Sequence, residues 1–162
     1  MGTVDAGDAV AGVDEARIRA VLFLCGVPPQ ALDDGVQQVR LKALEQPPGR
    51  VRNPAAWAAT VATRVAADWH RGRSRDKRLV ELLAAQPGTG AAPEDRALAV
   101  SVAAGLQRLP DEQRRLVVLR FYLDLSVRQI AEELDVPEGT VKSRLHAAVA
   151  AMRAEWRGPE VN

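Results

Sequence analysis

The sequence predicts an all-α fold, two small helical domains joined by a flexible linker, on three observations. Apolar residues recur at three- and four-residue intervals, the spacing of one face of a helix. The β-branched residues sit at that same spacing instead of alternating, so no strand run emerges. Alanine is abundant and aromatic residues make up only 4% of the chain, a composition suited to closely packed helices. At 162 residues and 47% hydrophobic content, the chain can support one ordinary domain or two small ones.

Taken in order, residues 1–13 are small, acidic and glycine-rich and read as a disordered tail. The stretch from Asp14 to Cys25 follows, running into the apolar segment Ala20 to Val27, and is what the chain leaves for a first helix. Residues 33–44 open on the acidic pair Asp33 and Asp34, followed by glutamines and apolar residues. A short proline-rich loop, residues 47–52, follows. Asn53 and Pro54 are a cap and first-turn pair, and Trp57, Val61, Val65 and Trp69 recur every four residues along the helix they open. Trp57 at that spacing reads as core.

That helix runs into Arg71-Gly72-Arg73-Ser74-Arg75-Asp76-Lys77-Arg78. Residues 51–80 hold seven basic and two acidic side chains, net +5, whereas 1–50 and 81–112 are acidic at −2 and −3. The total of +1 hides this local charge, and local charge is what a nucleic-acid surface requires. Residues 86–93 are rich in glycine and proline and poor in bulky side chains, so the expected organisation is a tail at 1–13, a helical domain at 14–80, a linker at 81–95 and a second domain at 96–162.

The second domain contains the strongest local signals. Ser126 followed by Gln129 is a capping-box pattern. Val127, Ile130, Ala131 and Leu134 then share one face, and Asp135-Val136-Pro137 ends the helix, with Pro137 suited to the first turn of the next. On that next helix Val141, Leu145, Ala148, Val149, Met152 and Trp156 form an inward stripe, and Gly139, Ser143, Ala147, Ala150 and Ala154 a smooth outer face. Lys142, Arg144, His146 and Arg153 flank that face. The pattern is a helix-turn-helix whose second helix fits a major groove, with donors placed for phosphates and base edges.

These residues carry a resemblance. Leu109-Pro110-Asp111-Glu112-Gln113-Arg114, Val117 to Phe121, Ile130 to Leu134 and Gly139 to Ala148 resemble region 4 of bacterial sigma factors of the extracytoplasmic-function group. The resemblance implies that region 4 binds the upstream (minus thirty-five) promoter element and the flap of the polymerase beta subunit. Glu138, Thr140, Lys142, Ser143, Arg144 and His146 are then the expected DNA contacts.

Residues 33–44 are similar to the family's region 2.2, which implies that Asp34, Gln37 and Gln38 face the clamp of core RNA polymerase on its beta-prime subunit. Gln38 stands where the family commonly has an acid, and Arg40 where an aromatic residue usually packs. Residues 53–70 resemble region 2.3, which recognises and melts the downstream (minus ten) element. Melting without ATP requires captured bases to offset a cost of a few kcal/mol each. Arg64, Arg71, Arg73 and Arg75 are the candidate strand contacts, with Trp69 near the helix end. The family places its base-capturing pocket in the loop that is residues 47–52 here.

The resemblance spans roughly residues 14–157 and implies a non-enzymatic transcription initiation factor with core RNA polymerase, promoter DNA and an anti-sigma protein as partners. Its mobile linker would also permit an inhibited state, with the two domains folded against each other or around an anti-sigma protein. The competing reading is a sigma-like DNA-binding regulator or adaptor that does not initiate, suggested by Gln38, Arg40 and the short first helix. The sequence offers no nucleophile-base pair, phosphate loop or metal-ligand spacing, so neither an enzyme nor a cofactor is expected. A single cysteine, Cys25, has no intramolecular partner and suits a reducing cytoplasm. No apolar run approaches membrane length, so membrane insertion is not expected.

Overall fold

The computed structural model describes residues 14–47, 49–71 and 93–157, and among these every regular element is helical. Helix α1 (Glu15–Leu24) begins at Asp14, whose carboxylate accepts the Ala16 amide at 3.0 Å, satisfying an otherwise orphaned donor. It ends where Gly26 adopts φ +90°, a conformation that a side chain would strain. A single 3₁₀ turn (Pro29–Ala31) leads into α2 (Leu32–Leu44). Gly35 brings α1 and α2 into close approach, since a Cβ there would sit 2.8 Å from Leu22 Cδ1. The expected cap of the third helix is present in α3 (Pro54–His70), where Asn53 Oδ1 accepts the Ala56 amide at 3.1 Å.

Helix α4 (Pro93–Gln107) opens inside the span read as linker, whose residues 81–92 lie outside the described ones. It is followed by α5 (Asp111–Val117), a π-helical turn (Val118–Tyr122), α6 (Val127–Leu134) and α7 (Glu138–Trp156). The π turn widens the helix so that the Leu123 amide reaches the Val118 carbonyl at 3.2 Å. It leaves Phe121 and Tyr122 exposed beside buried Val118 and Leu119.

The two halves share their cores. Ile18, Val21, Leu22, Val36, Val39, Val61 and Val65 from the first half pack in one cluster with Leu106, Leu109, Val117, Val118 and Ala148 from the second. A second cluster joins Ala56 and Ala59 of α3 to Leu116, Leu119, Ile130, Val141 and Leu145. Each fully buried leucine or isoleucine in these clusters stabilises the fold by about 1.5–3 kcal/mol, and the small residues on α3 are what let α6 approach it. Polar contacts tie the helices within and between the halves as well. Gln107 Nε2 donates to the Leu24 carbonyl at 3.2 Å, and α1 and α3 are tied by the His70 ring nitrogen Nε2 on the Cys25 carbonyl.

Buried Arg114 pins the turn between α4 and α5. Its guanidinium donates to the carbonyls of Leu106 and Leu109, each at 2.9 Å, and to Asp111 Oδ1 at 2.8 Å. It thus serves as a C-terminal cap for α4, neutralising carbonyls that the helix leaves without partners.

Candidate nucleic-acid interface

The candidate interface is built on the turn between α6 and α7. Ser126 Oγ accepts the Gln129 amide at 3.1 Å while Gln129 Oε1 accepts the Ser126 amide at 2.9 Å, completing the capping box that the sequence predicts. Asp135 ends α6 in the left-handed region at φ 53°. Pro137 then takes the cap position of α7, one residue earlier than the first-turn place expected, because its extended backbone sets the change of direction. Ile130 and Val141 are fully buried against each other's helices, and this fixes the crossing.

The outer face is the one expected. Gly139, Ser143, Ala147, Ala150 and Ala154 are exposed, as are Glu138, Lys142 and His146. Thr140 and Arg144 are half-buried. The Ser143 hydroxyl donates to the Thr140 carbonyl at 3.1 Å, which leaves its lone pairs facing outward. Arg144 is held by Glu112 of α5, Nη1 to Oε2 at 3.2 Å. The inward stripe stops sooner than expected: Val141, Leu145 and Ala148 are buried and Met152 half-buried, but Trp156 is 65% exposed. The last turn of α7 runs past the core and lays its indole along the edge of α4, near Gly105.

In the first half, Asp34, Gln37 and Gln38 lie together on the exposed face of α2. Arg40, set where an aromatic residue is usual, is not an orphan in the core. It bridges to Glu15 of α1 at 2.6 Å, and Glu15 also takes Arg19 at 3.0 Å. Arg19 in turn reaches Asp33, and this hydrogen bond, together with that to Glu15, holds the Arg19 pKa above its ordinary value. A polar tie between helices therefore replaces an apolar one.

Arg64 and Arg71 are exposed on and just after α3, while Trp69 is half-buried against the core and meets His70 edge to face, with ring centroids 5.2 Å apart. Trp57 packs on the same core, as expected. Arg73 and Arg75 lie outside the described residues. In the loop before α3, Gly49 takes φ +77° with open space where a Cβ would stand.

Residues 15–76 match the family description Sigma-70 region 2, and residues 100–152 match Sigma-70, region 4. The chain is 38% identical over 143 residues to the extracytoplasmic-function (ECF) RNA polymerase sigma factor SigL of Mycobacterium tuberculosis, spanning 83% of this chain and 79% of that one. This chain belongs to the ECF sigma factors. ECF sigma factors direct promoter-specific initiation of transcription, and this chain has both of the regions that define its class. It is also 30% identical over 119 residues to SigW of Bacillus subtilis, covering 65% of this chain and 64% of SigW.

Among solved structures, the sigma fold recurs in CnrH, determined in complex with the cytosolic domain of CnrY, with a TM-score of 0.67 and 19% identity over 98% of both chains. It recurs again in RpoE of Bartonella quintana, determined with the anti-sigma factor NepR, at TM-score 0.62, 19% identity and coverage of 90% and 93%. No helix among the described residues of this ECF sigma factor is long and apolar enough to cross a membrane.

Two residues that sequence reasoning assigned no role stand out here. Arg114 is the structural pin described above. Arg115, its neighbour, lies at the junction of the halves, and burial and the nearby positive charge of Arg64 lower its pKa from the ordinary arginine value. The signal for Arg114 was its place in the short α5, just after the Leu109-Pro110 break that follows α4; nothing local distinguishes Arg115.

Proposed function

We propose that α7 enters the major groove of the upstream promoter element, that the end of α3 and the basic stretch after it hold the melted strand of the downstream element, and that the exposed face of α2 docks on the polymerase clamp. The observation that carries this reading is the capped turn between α6 and α7, which presents Glu138, Lys142, Ser143 and His146 on a smooth outer face flanked by Arg144. In this reading Lys142 and Arg144 supply the charge-assisted contacts, Glu138 and Thr140 the acceptors for base amino groups, and His146 a phosphate contact. Asp34, Gln37 and Gln38 supply the clamp contact, and Arg64, Trp69, Arg71, Arg73 and Arg75 the strand contacts. The protein contributes binding energy alone, and works in the cytoplasm beside core polymerase.

An apolar cleft of about 420 Å³ beside Phe121, Tyr122 and Trp156 is available for the polymerase beta flap. The packed arrangement of the halves is the resting state in this account, since the two promoter elements are far apart along DNA and both must be reached. The solved relatives were captured with the CnrY cytosolic domain and with the anti-sigma factor NepR, which supports an anti-sigma partner for this chain too. The Arg40 to Glu15 bridge supports a working first half and so favours initiation over an adaptor role.

The reading is tested by in vitro transcription with purified core polymerase on a library of promoter fragments. Defined starts on fragments sharing two spaced elements are expected. Binding to core or to DNA with no transcript would overturn it.

A further inference from the structure

The junction of the two halves holds a basic cleft in which two of the proposed strand contacts, Arg64 and Arg71, meet Lys42 and Arg115, to which no promoter role is assigned. It has a volume of about 420 Å³ and opens between α2, α3 and α5. Lys42 of α2, Arg64 of α3 and Arg71 just beyond it line the cleft from the first half, and Arg115 lines it from the second. Two carboxylates, Glu45 and Asp68, also face it. Asp68 is engaged by Arg71 at 3.4 Å, which leaves Glu45 against three other cations. Among the described residues no salt bridge ties Lys42, Arg64 or Arg115.

The neighbouring acids do not relieve this excess. Glu112 adds some attraction to Arg115, but its carboxylate is bonded to Arg144. Glu133 of α6 feels the charge of Arg64 without lining the cleft. Arg115 is half-buried, and its Nε is enclosed with no hydrogen-bond partner among the described residues, although a donor removed from water needs an acceptor. Two arginines brought together across a packing interface, one of them with a buried unsatisfied donor, are a poor arrangement for a cleft meant to stay empty. They are a good one for an anion with several oxygens, because the planar guanidinium matches phosphate in a two-pronged contact. The volume lies in the range of about 300–1,000 Å³ found for small-molecule sites. Half-buried Trp57 forms part of the wall and offers an aromatic surface.

We propose that this cleft binds a compact oligophosphate, the phosphate chain of a nucleoside di- or triphosphate or of inorganic polyphosphate, held between Lys42, Arg64 and Arg115. A DNA strand carries the same phosphate chemistry. The free ligand is favoured because Arg115 closes the cleft from the second half, so the site is complete only while the halves are packed. It follows that the ligand stabilises the packed arrangement by mass action and opposes any partner that needs the halves apart. The inference rests on that packing and not on which promoter element each helix reads.

The experiment is isothermal titration calorimetry of the full chain at low salt with sodium tripolyphosphate, repeated with ATP and with a short oligothymidylate, alongside thermal denaturation. Saturable one-to-one binding of tripolyphosphate and a rise in Tm are expected. Arg115→Gln and Lys42→Gln should each weaken binding by about tenfold or more, the loss of one charge-assisted contact. Lys42 is exposed, so its variant tests the cleft even if Arg115→Gln folds poorly. Glu45→Gln should tighten binding, and Arg128→Gln, on the outer face of α6, should leave it unchanged. If ATP binds more tightly than tripolyphosphate, Trp57 contributes to a nucleotide site; equal binding assigns the site to the phosphate chain alone. The proposal is overturned if binding does not saturate, if the Lys42 and Arg115 variants bind like the wild type, or if oligothymidylate binds more tightly with the same dependence on Arg115.

Discussion

Arg144, at the edge of the outer face of α7, is ion-paired with Glu112 of α5, Nη1 to Oε2 at 3.2 Å, with Glu112 exposed and the half-buried Arg144 still in reach of solvent. An exposed pair of this kind contributes little to stability, about 0–1 kcal/mol. Its effect is on orientation: in the proposed docking the carboxylate holds the guanidinium beside the groove-facing surface, and DNA binding would require its release. Arg144→Ala is therefore expected to weaken upstream-element binding by about 1–3 kcal/mol and to relax sequence preference at one position. Glu112→Gln should leave Tm almost unchanged and tighten DNA binding. Fluorescence anisotropy on matched and mismatched duplexes checks both, and unchanged promoter preference in Arg144→Ala would rule out this docking.

Strand capture and duplex reading are expected to separate by mutation. Arg73→Ala and Arg71→Ala should lower the yield of open complexes while leaving closed-complex affinity within about twofold, because a lost phosphate contact acts on whichever state makes it. Permanganate footprinting of unpaired thymines, compared with gel-shift affinity, measures the two states independently. Equal losses in both would move these arginines to duplex binding.

Arg114 is expected to be the costliest surface-adjacent charge to remove. Its side chain is almost wholly buried and serves the carbonyls of Leu106, Gln107 and Leu109 together with Asp111. Arg114→Ala leaves those acceptors unsatisfied and opens a cavity, an expected loss of about 3 kcal/mol or more. Arg114→Lys should recover only part of it, since one ammonium cannot reach carbonyls spread around a planar fork. Urea denaturation of the three proteins gives the ordering.

How much of this was legible in the sequence depends on how local each determinant is. The α6–α7 turn was legible because Ser126, Gln129 and Pro137 lie within one short stretch and each acts on its neighbours. The bridge from Arg40 to Glu15 was not, because a departure from an aromatic residue says nothing about what stands opposite on another helix. The junction was least legible of all. Gln107 reaches the Leu24 carbonyl across 83 positions of sequence, and the cluster of Arg64 and Arg115 exists only once α3 and α5 meet. Trp156 misled for the reverse reason: helical spacing continues past the point where there is any core left to face.

Gly26 gives the junction a sensitive point. At φ +90° it already excludes most side chains, and a Cβ there would stand 2.1 Å from Gln107 Oε1. Gly26→Ala must therefore strain the backbone and push Gln107 off the Leu24 carbonyl, an expected loss of about 1–3 kcal/mol with the halves loosened. Small-angle scattering should show a larger radius of gyration than the wild type. A variant as compact and as stable as the wild type would mean that this contact does not hold the halves together.

Cys25 reports on the same junction without altering it. Burial pushes its thiol from the ordinary value near 9 up to about 12, outweighing the opposite pull of the positive charges on Arg114 and Arg115. Because the folded pKa is the higher one, the protonated thiol favours the folded state. The contribution is fully present below about pH 9 and is lost as pH rises from about 9 toward about 12. The stability difference between the wild type and Cys25→Ala should therefore shrink across that window, a comparison that cancels the other groups titrating there. At pH 8 the thiolate is scarce and the sulfur enclosed, so modification by a disulfide reagent should proceed only through opening events. The labelling rate should rise in Gly26→Ala, whose substitution is one residue away, and should fall on adding tripolyphosphate if the cleft beside Arg115 locks the halves. A fast rate in the wild type, unmoved by either, would show that the α1 end of the junction opens freely in solution.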